Sequence, residues 1–378
     1  MLGSFHIPTM ASHLATLAAG KEFSAYAMVL VLGALLLMVG LAFKLSAVPF
    51  HFWAPDVFEG APAEVGAYLS VASKAAALAL LARIALGLVS GGPAAIVAEA
   101  DPAPASIADT LEADTALTPV VLATPADDQA TSAPRTETPS HDMAAGDGLR
   151  RVRAFVVALL ALFSAVTCTF GNLAAYGQTN IKRLLAYSTI AHAGYMIMPV
   201  AAAVALMGRD PATARWALAT LSFYVLVYVF MNLGAFAAAT FLRNRLGSET
   251  IADYAGLVRR SPAAAVCFSL ILFSLVGLPP LAGFAGKFAI FASLTYAGLV
   301  MLLVVGALNT LLSLFYYLRV VKVMTLDAPK DDTGHSVIPG YSAAGMFLAL
   351  LTVPVAVLGV WWQPVFHWAE SAVGSIIH

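Results

Sequence analysis

Polar residues in this chain are gathered between long apolar stretches. A bilayer-spanning helix needs about 20 predominantly apolar residues, and eight stretches meet that length. They cover about 24–53, 63–90, 152–177, 180–206, 213–242, 262–297, 299–325 and 341–368. Two contain proline where a helix must break: Pro49 in the first, Pro279 with Pro280 in the sixth. Proline removes a backbone donor and clashes with the preceding turn, and broken membrane helices are tolerated mainly where they line a cavity or a polar interior. The sixth stretch therefore reads as two half-helices meeting at Gly277-Leu278-Pro279-Pro280, with Gly283 and Gly286 allowing close backbone approach. The pattern predicts an all-α polytopic membrane protein of about eight transmembrane helices, two of them broken. An even count puts both termini on one side.

Around the spans, the pattern predicts an exposed segment over 1–23, two membrane helices within 24–90, six more within 151–368, and a tail over 369–378. Residues 91–150 differ from the rest. They hold seven prolines and ten acidic residues, a composition that cannot bury enough apolar surface to offset its ordering entropy. A disordered acidic loop is expected there. Residues 1–24 contain His6, Pro8, His13, Lys21 and Glu22, so no cleavable signal core is expected.

Composition closes other options. With 60% hydrophobic and 11% charged residues and a mean hydropathy of +0.85, the chain lacks the charge a soluble surface requires. A net charge of -1 gives no basic field for nucleic acid. Cys168 and Cys267 lie in apolar runs without cluster or disulfide spacing and read as packing residues. No metal or cofactor site of the chain's own is expected. Basic residues are asymmetric: Lys182, Arg183, Arg243, Arg245, Arg259, Arg260, Arg319, Lys322 and Lys330 fall on one side, opposite the termini. By the positive-inside rule that side is expected to be cytoplasmic, leaving termini and loop 91–150 outside.

Three lysines stand inside these spans: Lys44, Lys74 and Lys287. Each costs about 2.5–3.5 kcal/mol at a helix centre even on the mildest insertion scale. Buried without a partner, an ammonium group is destabilised and gives up its proton readily, as a proton relay requires. Lys74 is closest to mid-span, Lys287 follows the double-proline break, and Lys44 precedes Pro49. Arg83, near a span end, reads as a headgroup anchor. No carboxylate lies within the spans to hold the lysines charged. His192 shares a helical face with Lys182 and Thr189, and can be read equally as a shuttle or as a packing group. Stripes at Tyr224, Tyr228 and Asn232, and at Asn309, Ser313 and Tyr316, are expected to make helix-to-helix hydrogen bonds. His51 shares the Lys44 face only if the Pro49 kink is mild. On this reading Lys74→Ala should keep or slightly raise stability, with Lys287→Ala behaving alike.

The run from Phe43-Lys44-Leu45-Ser46-Ala47-Val48-Pro49-Phe50-His51-Phe52-Trp53 to Pro62 resembles the broken-helix segment of the antiporter-like membrane subunits of proton-pumping NADH-quinone oxidoreductase, respiratory complex I, and most of all its subunit N. Gln178-Thr179-Asn180-Ile181-Lys182-Arg183 through His192 to Tyr195, and Gly277 through Lys287 to Phe288, agree with the same family. The resemblance implies a fourteen-helix subunit with its seventh and twelfth helices broken, in which Lys44, Lys74 and Lys287 form the central proton path. It implies a bacterial inner-membrane location and other complex I membrane subunits as partners, alongside the lipid bilayer. NADH and quinone would be used by the complex, with no redox centre in this chain. The matched part begins at the family's seventh helix. The glutamate thought to pair with the Lys44 position would then lie on a separate chain supplying the first six helices, lie upstream of a misassigned start, or be missing from a decayed copy. An Mrp-type cation/proton antiporter subunit and a non-pumping structural remnant are the alternatives.

Overall fold

The computed structural model describes residues 9–10, 13–14, 16–17, 23–89, 140–329 and 338–377. They are helical almost throughout, as expected for a backbone that must satisfy its own polar groups in hydrocarbon. In chain order the helices are α1 (Phe23–Leu45), α2 (Trp53–Gly60), α3 (Ala63–Tyr68), a π-helical turn (Leu69–Ser73), α4 (Lys74–Val89), α5 (Ser140–Ala175), α6 (Ile181–Leu206), α7 (Pro211–Leu246), α8 (Leu257–Arg260), α9 (Pro262–Val276), α10 (Ala282–Tyr296), α11 (Val300–Thr325), α12 (Ala343–Val360) and α13 (Gln363–Ile377). Among the described residues, seven helical runs are long and apolar enough to cross a membrane. The pair α9 and α10 supplies the eighth predicted crossing in two halves. The only β-bridge among the described residues is an isolated antiparallel pairing of Asn180 with Thr250.

α6 is the central element. It is buried along nearly its whole length and packs against α4, α5, α7 and α10, which is where a helix apolar all round belongs. Its closest approach is to α5. A Cβ on Gly194 would stand 2.6 Å from the Cys168 backbone nitrogen, and one on Gly171 would stand 2.5 Å from that of Ala191. Two glycines facing opposite ways let the backbones touch, the usual device of membrane helix pairs. Ser164 Oγ adds a bond to the Gly194 carbonyl at 2.8 Å.

Three expected boundaries move. The acidic loop was expected to reach residue 150, but α5 is already helical from Ser140, one residue past the last proline of that stretch, Pro139. The remainder of that expected loop, 91–139, lies outside the described residues. The last span stops at Val360 because Pro364 lacks the donor, and clashes with the carbonyl, that a continuing turn would need. The expected tail is instead helical to Ile377, as α13, whose Phe366 ring packs on Trp216, Phe223 and Trp362. Of the N-terminal segment only seven residues are described. They are helical, and Leu14 is buried rather than exposed.

Candidate functional site

Both breaks lie where proline required them, and both end a half-helix in the same way. α1 closes on Ser46 in the left-handed region (φ 57°), with the Ala47 N–H reaching the Ala42 carbonyl at 2.7 Å and the Ser46 N–H reaching Phe43 at 3.1 Å. α9 closes on Gly277 (φ 92°), and the Gly277 and Leu278 N–H groups both donate to the Phe273 carbonyl at 3.0 Å. Such caps satisfy the early carbonyls of the final turn and leave the last ones open. In the first connection the Val48 N–H is taken by Thr167 Oγ1 at 3.1 Å, and the Trp53 indole returns to the Phe43 carbonyl at 3.1 Å. In the second, the Gly283 N–H donates to Ser274 Oγ at 2.9 Å.

The open carbonyls are filled by lysine. Lys74 Nζ donates to the Leu45 carbonyl at 2.6 Å. Lys287 Nζ donates to Leu275 at 3.0 Å and to Val276 at 2.8 Å, and sits 4.5 Å from the centroid of the Tyr195 ring. Both side chains are buried. An ammonium at the carbonyl end of a helix meets its partial negative charge, and the ring face adds a second favourable term for Lys287. Lys74 is the twelfth residue counted from Ala63, about 16 Å up from the α2–α3 turn and so near the middle of a ~30 Å core. A π-helical turn immediately precedes it. Ser70 in that turn donates to the Ala67 carbonyl at 2.6 Å and accepts from the Asn232 amide of α7.

His192 of α6 lies beside the Lys287 site. It is buried, its Nδ1 is 2.8 Å from the Tyr224 hydroxyl, and the rings of Tyr195 and Tyr228 pack around it. Tyr195 links it to Lys287: its ring centroid is 6.0 Å from that of His192 and 4.5 Å from Lys287 Nζ. Beyond Tyr195, whose hydroxyl is 3.0 Å from Thr310 Oγ1, a buried amide cluster joins α5 to α11. There Asn172 Nδ2 donates to Asn309 Oδ1 at 3.1 Å, Asn309 Nδ2 to Thr169 at 2.9 Å, and the Tyr316 hydroxyl to Asn172 Oδ1 at 3.0 Å. Of the two predicted stripes, Tyr224, Asn232, Asn309 and Tyr316 bond between helices, whereas Ser313 bonds back to the Thr310 carbonyl of its own helix and the buried Tyr228 hydroxyl makes no hydrogen bond among the described residues.

Other expectations change. Lys44, expected inside, is on the exposed side of the last turn of α1, in line with exposed Met28, Leu32, Leu36 and Phe43, because it is Leu45 that turns inward. His51 does not share its face. α1 ends before Pro49, and the imidazole instead meets Phe170 with ring centroids 4.4 Å apart. Lys182, Thr189 and His192 share one continuous helix as expected, but Thr189 Oγ1 bonds back to the Leu185 and Ala186 carbonyls of that helix. Lys182 is drawn to the foot of α6. Arg83 is exposed, as a headgroup anchor should be.

That foot is an ion-pair cluster. Lys182 Nζ is 2.9 Å from Glu249 and donates to the Ala61 carbonyl at 3.0 Å. Arg243 Nε reaches the same carboxylate oxygen at 2.8 Å, and Asn180 Nδ2 the other at 3.1 Å, while Asn180 Oδ1 caps the start of α6. Arg183 pairs with Glu59 at 2.6 Å and Asp56 at 3.0 Å on α2. Burial pushes the Glu249 carboxyl up. The bonds from Lys182 and Asn180 and the charges of Lys182 and Arg243 outweigh it, holding the carboxyl below its usual range and ionised at neutral pH.

Sequence reasoning singled out Lys74, Lys287 and His192 but missed Tyr195 and Glu249. Tyr195 was within reach, since it lies three residues from His192 on the same helix face. Nothing in the spacing pointed to Glu249, which is in a connection 67 residues after Lys182 and meets it only in the fold.

The family described as NADH:quinone oxidoreductase/Mrp antiporter, TM, matches residues 1–98 and 149–313. A protein of Anaeromyxobacter sp. (strain Fw109-5) called NADH-quinone oxidoreductase subunit N is 35% identical across 99% of this chain and 62% of its own length. This chain therefore spans less than two thirds of that relative. A chain of respiratory complex I from Thermus thermophilus, solved with bound aureothin, superposes with a TM-score of 0.59 at 27% identity, over 95% of this chain and 66% of that one. A chain of the Mrp complex from Dietzia sp. DQ12-45-1b shares the fold at a TM-score of 0.63 and 18% identity, over 95% of this chain and 61% of that one.

Proposed function

The chain belongs to the NADH:quinone oxidoreductase/Mrp antiporter membrane family, and we propose that it is the helix-seven-to-fourteen part of a subunit N, carrying protons through the membrane arm while NADH oxidation and quinone reduction occur on other subunits. One observation carries this reading. Lys74 and Lys287 are each lodged on the carbonyl end of a broken half-helix, and the Tyr195 ring meets both Lys287 and the buried His192. A proton leaving either lysine leaves a neutral amine that can still donate to these carbonyls but no longer sets a full positive charge against the helix end, so protonation and the stability of the break are linked. His192 and Tyr224 supply a titratable group and a hydroxyl beside the Lys287 site, Tyr224 packing against Gly286. The name of the 35% identical relative favours this role over cation antiport.

The test is Lys74→Arg and Lys287→Arg in membranes holding the assembled complex, with NADH-driven acidification as the readout. Guanidinium keeps the charge and the cap but does not release its proton at accessible pH, so both variants are expected to lose transport. Normal pumping would leave only a fixed-charge role.

Lys44 supports a partner. A cation facing hydrocarbon at the depth of the first break is costly, and the α1 face around it is apolar. A further membrane segment or subunit carrying a carboxylate is proposed to cover that face. The chain is then expected to be recovered with other membrane subunits after mild detergent extraction, and a well-folded isolated monomer would contradict this.

A further inference from the structure

Lys182 has two partners with different consequences. Glu249 neutralises it; the Ala61 carbonyl does not, and Ala61 is the hinge residue between α2 and α3. α2 is the second half of the first broken helix, and α3 leads through the π-helical turn to Lys74. One backbone carbonyl at the foot of the bundle is therefore held by a buried ammonium whose counter-charge comes from the connection after α7. Arg183 repeats the tie one residue on, to Glu59 and Asp56 of α2. The Glu249 carboxylate is itself fixed from every side. Lys182 and Asn180 approach from the start of α6 and Arg243 from α7, and the Glu249 carbonyl accepts the Ile181 N–H at 2.9 Å.

We infer that Glu249 is a positioning residue for the Lys74 site: through Lys182 it holds the α2–α3 turn and so sets where Lys74 meets the Leu45 carbonyl. The segment from Ala63 to Lys74 is short and helical. Displacement of the turn moves the ammonium with it, and a hydrogen bond of 2.6 Å is lost once its atoms part beyond about 3.5 Å. The inference rests on the proton path proposed above.

The experiment compares variants in membranes containing the assembled complex, by NADH-driven acidification and native gels. Glu249→Gln is expected to lower transport about tenfold or more, the scale of a small misplacement at a reacting group, and Glu249→Asp to restore most of it. Lys182→Met combined with Glu249→Leu removes the unpaired charge. It should assemble at the normal level yet transport as poorly as Glu249→Gln, because the Ala61 carbonyl has lost its donor. In a Lys74→Ala background, Glu249→Gln should add no further loss. Normal transport by the double variant, or a loss additive with Lys74→Ala, overturns the inference while leaving the path reading intact. Should Glu249→Gln not assemble, the double variant decides. Normal transport by Lys74→Ala alone defeats both readings.

Discussion

Lys287→Ala is expected to abolish NADH-driven proton transport while the chain still assembles. The two outcomes separate because the energetic terms nearly cancel. Removing an ammonium from mid-membrane relieves about 2.5–3.5 kcal/mol on the mildest scale. Leaving the Leu275 and Val276 carbonyls without a donor costs about 1–3 kcal/mol apiece, and the contact with Tyr195 is lost as well. Lys74→Ala strands only the Leu45 carbonyl, so it should assemble at least as well as the parent, whereas Lys287→Ala should assemble somewhat less well. Sequence reasoning had the two behaving alike; the number of carbonyls each one caps makes the difference. Native gels report assembly, and acidification on NADH addition reports transport. Full pumping by Lys287→Ala would exclude it from the path.

Gly194→Leu is expected to prevent accumulation of the folded chain. Even a Cβ there would meet the Cys168 nitrogen at 2.6 Å, so the backbones of α5 and α6 must part, and no rotamer of a flexible side chain relieves a clash with backbone. Overpacking a core ordinarily costs about 1–3 kcal/mol, and separating the central helix from its most intimate neighbour exceeds that range. Gly60→Ala, where no atom lies within 4 Å of an added Cβ, serves as the control and should be neutral. Membrane levels by immunoblot and detergent-extracted melting temperature distinguish them. Wild-type levels of Gly194→Leu would mean that α5 and α6 are held apart in the assembled protein.

Length and composition settled that this chain crosses a membrane as helices, since a backbone in hydrocarbon has few other ways to satisfy its polar groups. Proline settled where two helices break. The cost of burying an ammonium singled out Lys74 and Lys287 before any contact was known. What they touch was not legible. The acceptors are the main-chain carbonyls of Leu45, Leu275 and Val276, which every residue possesses and no residue type advertises. Lys44 looked equivalent to the other two in the sequence, yet a rotation of one residue around α1 points it outward while Leu45 turns in, because side-chain direction depends on where each helix packs. Glu249 shows the same limit from the other direction. It is an ordinary loop acid by position, and only the approach of the end of α7 to the start of α6 makes it the counter-charge of a buried lysine. Local pattern fixes period, length and breaks; which groups share a low-dielectric interior is a property of helices far apart in the chain, and tertiary packing alone decided it.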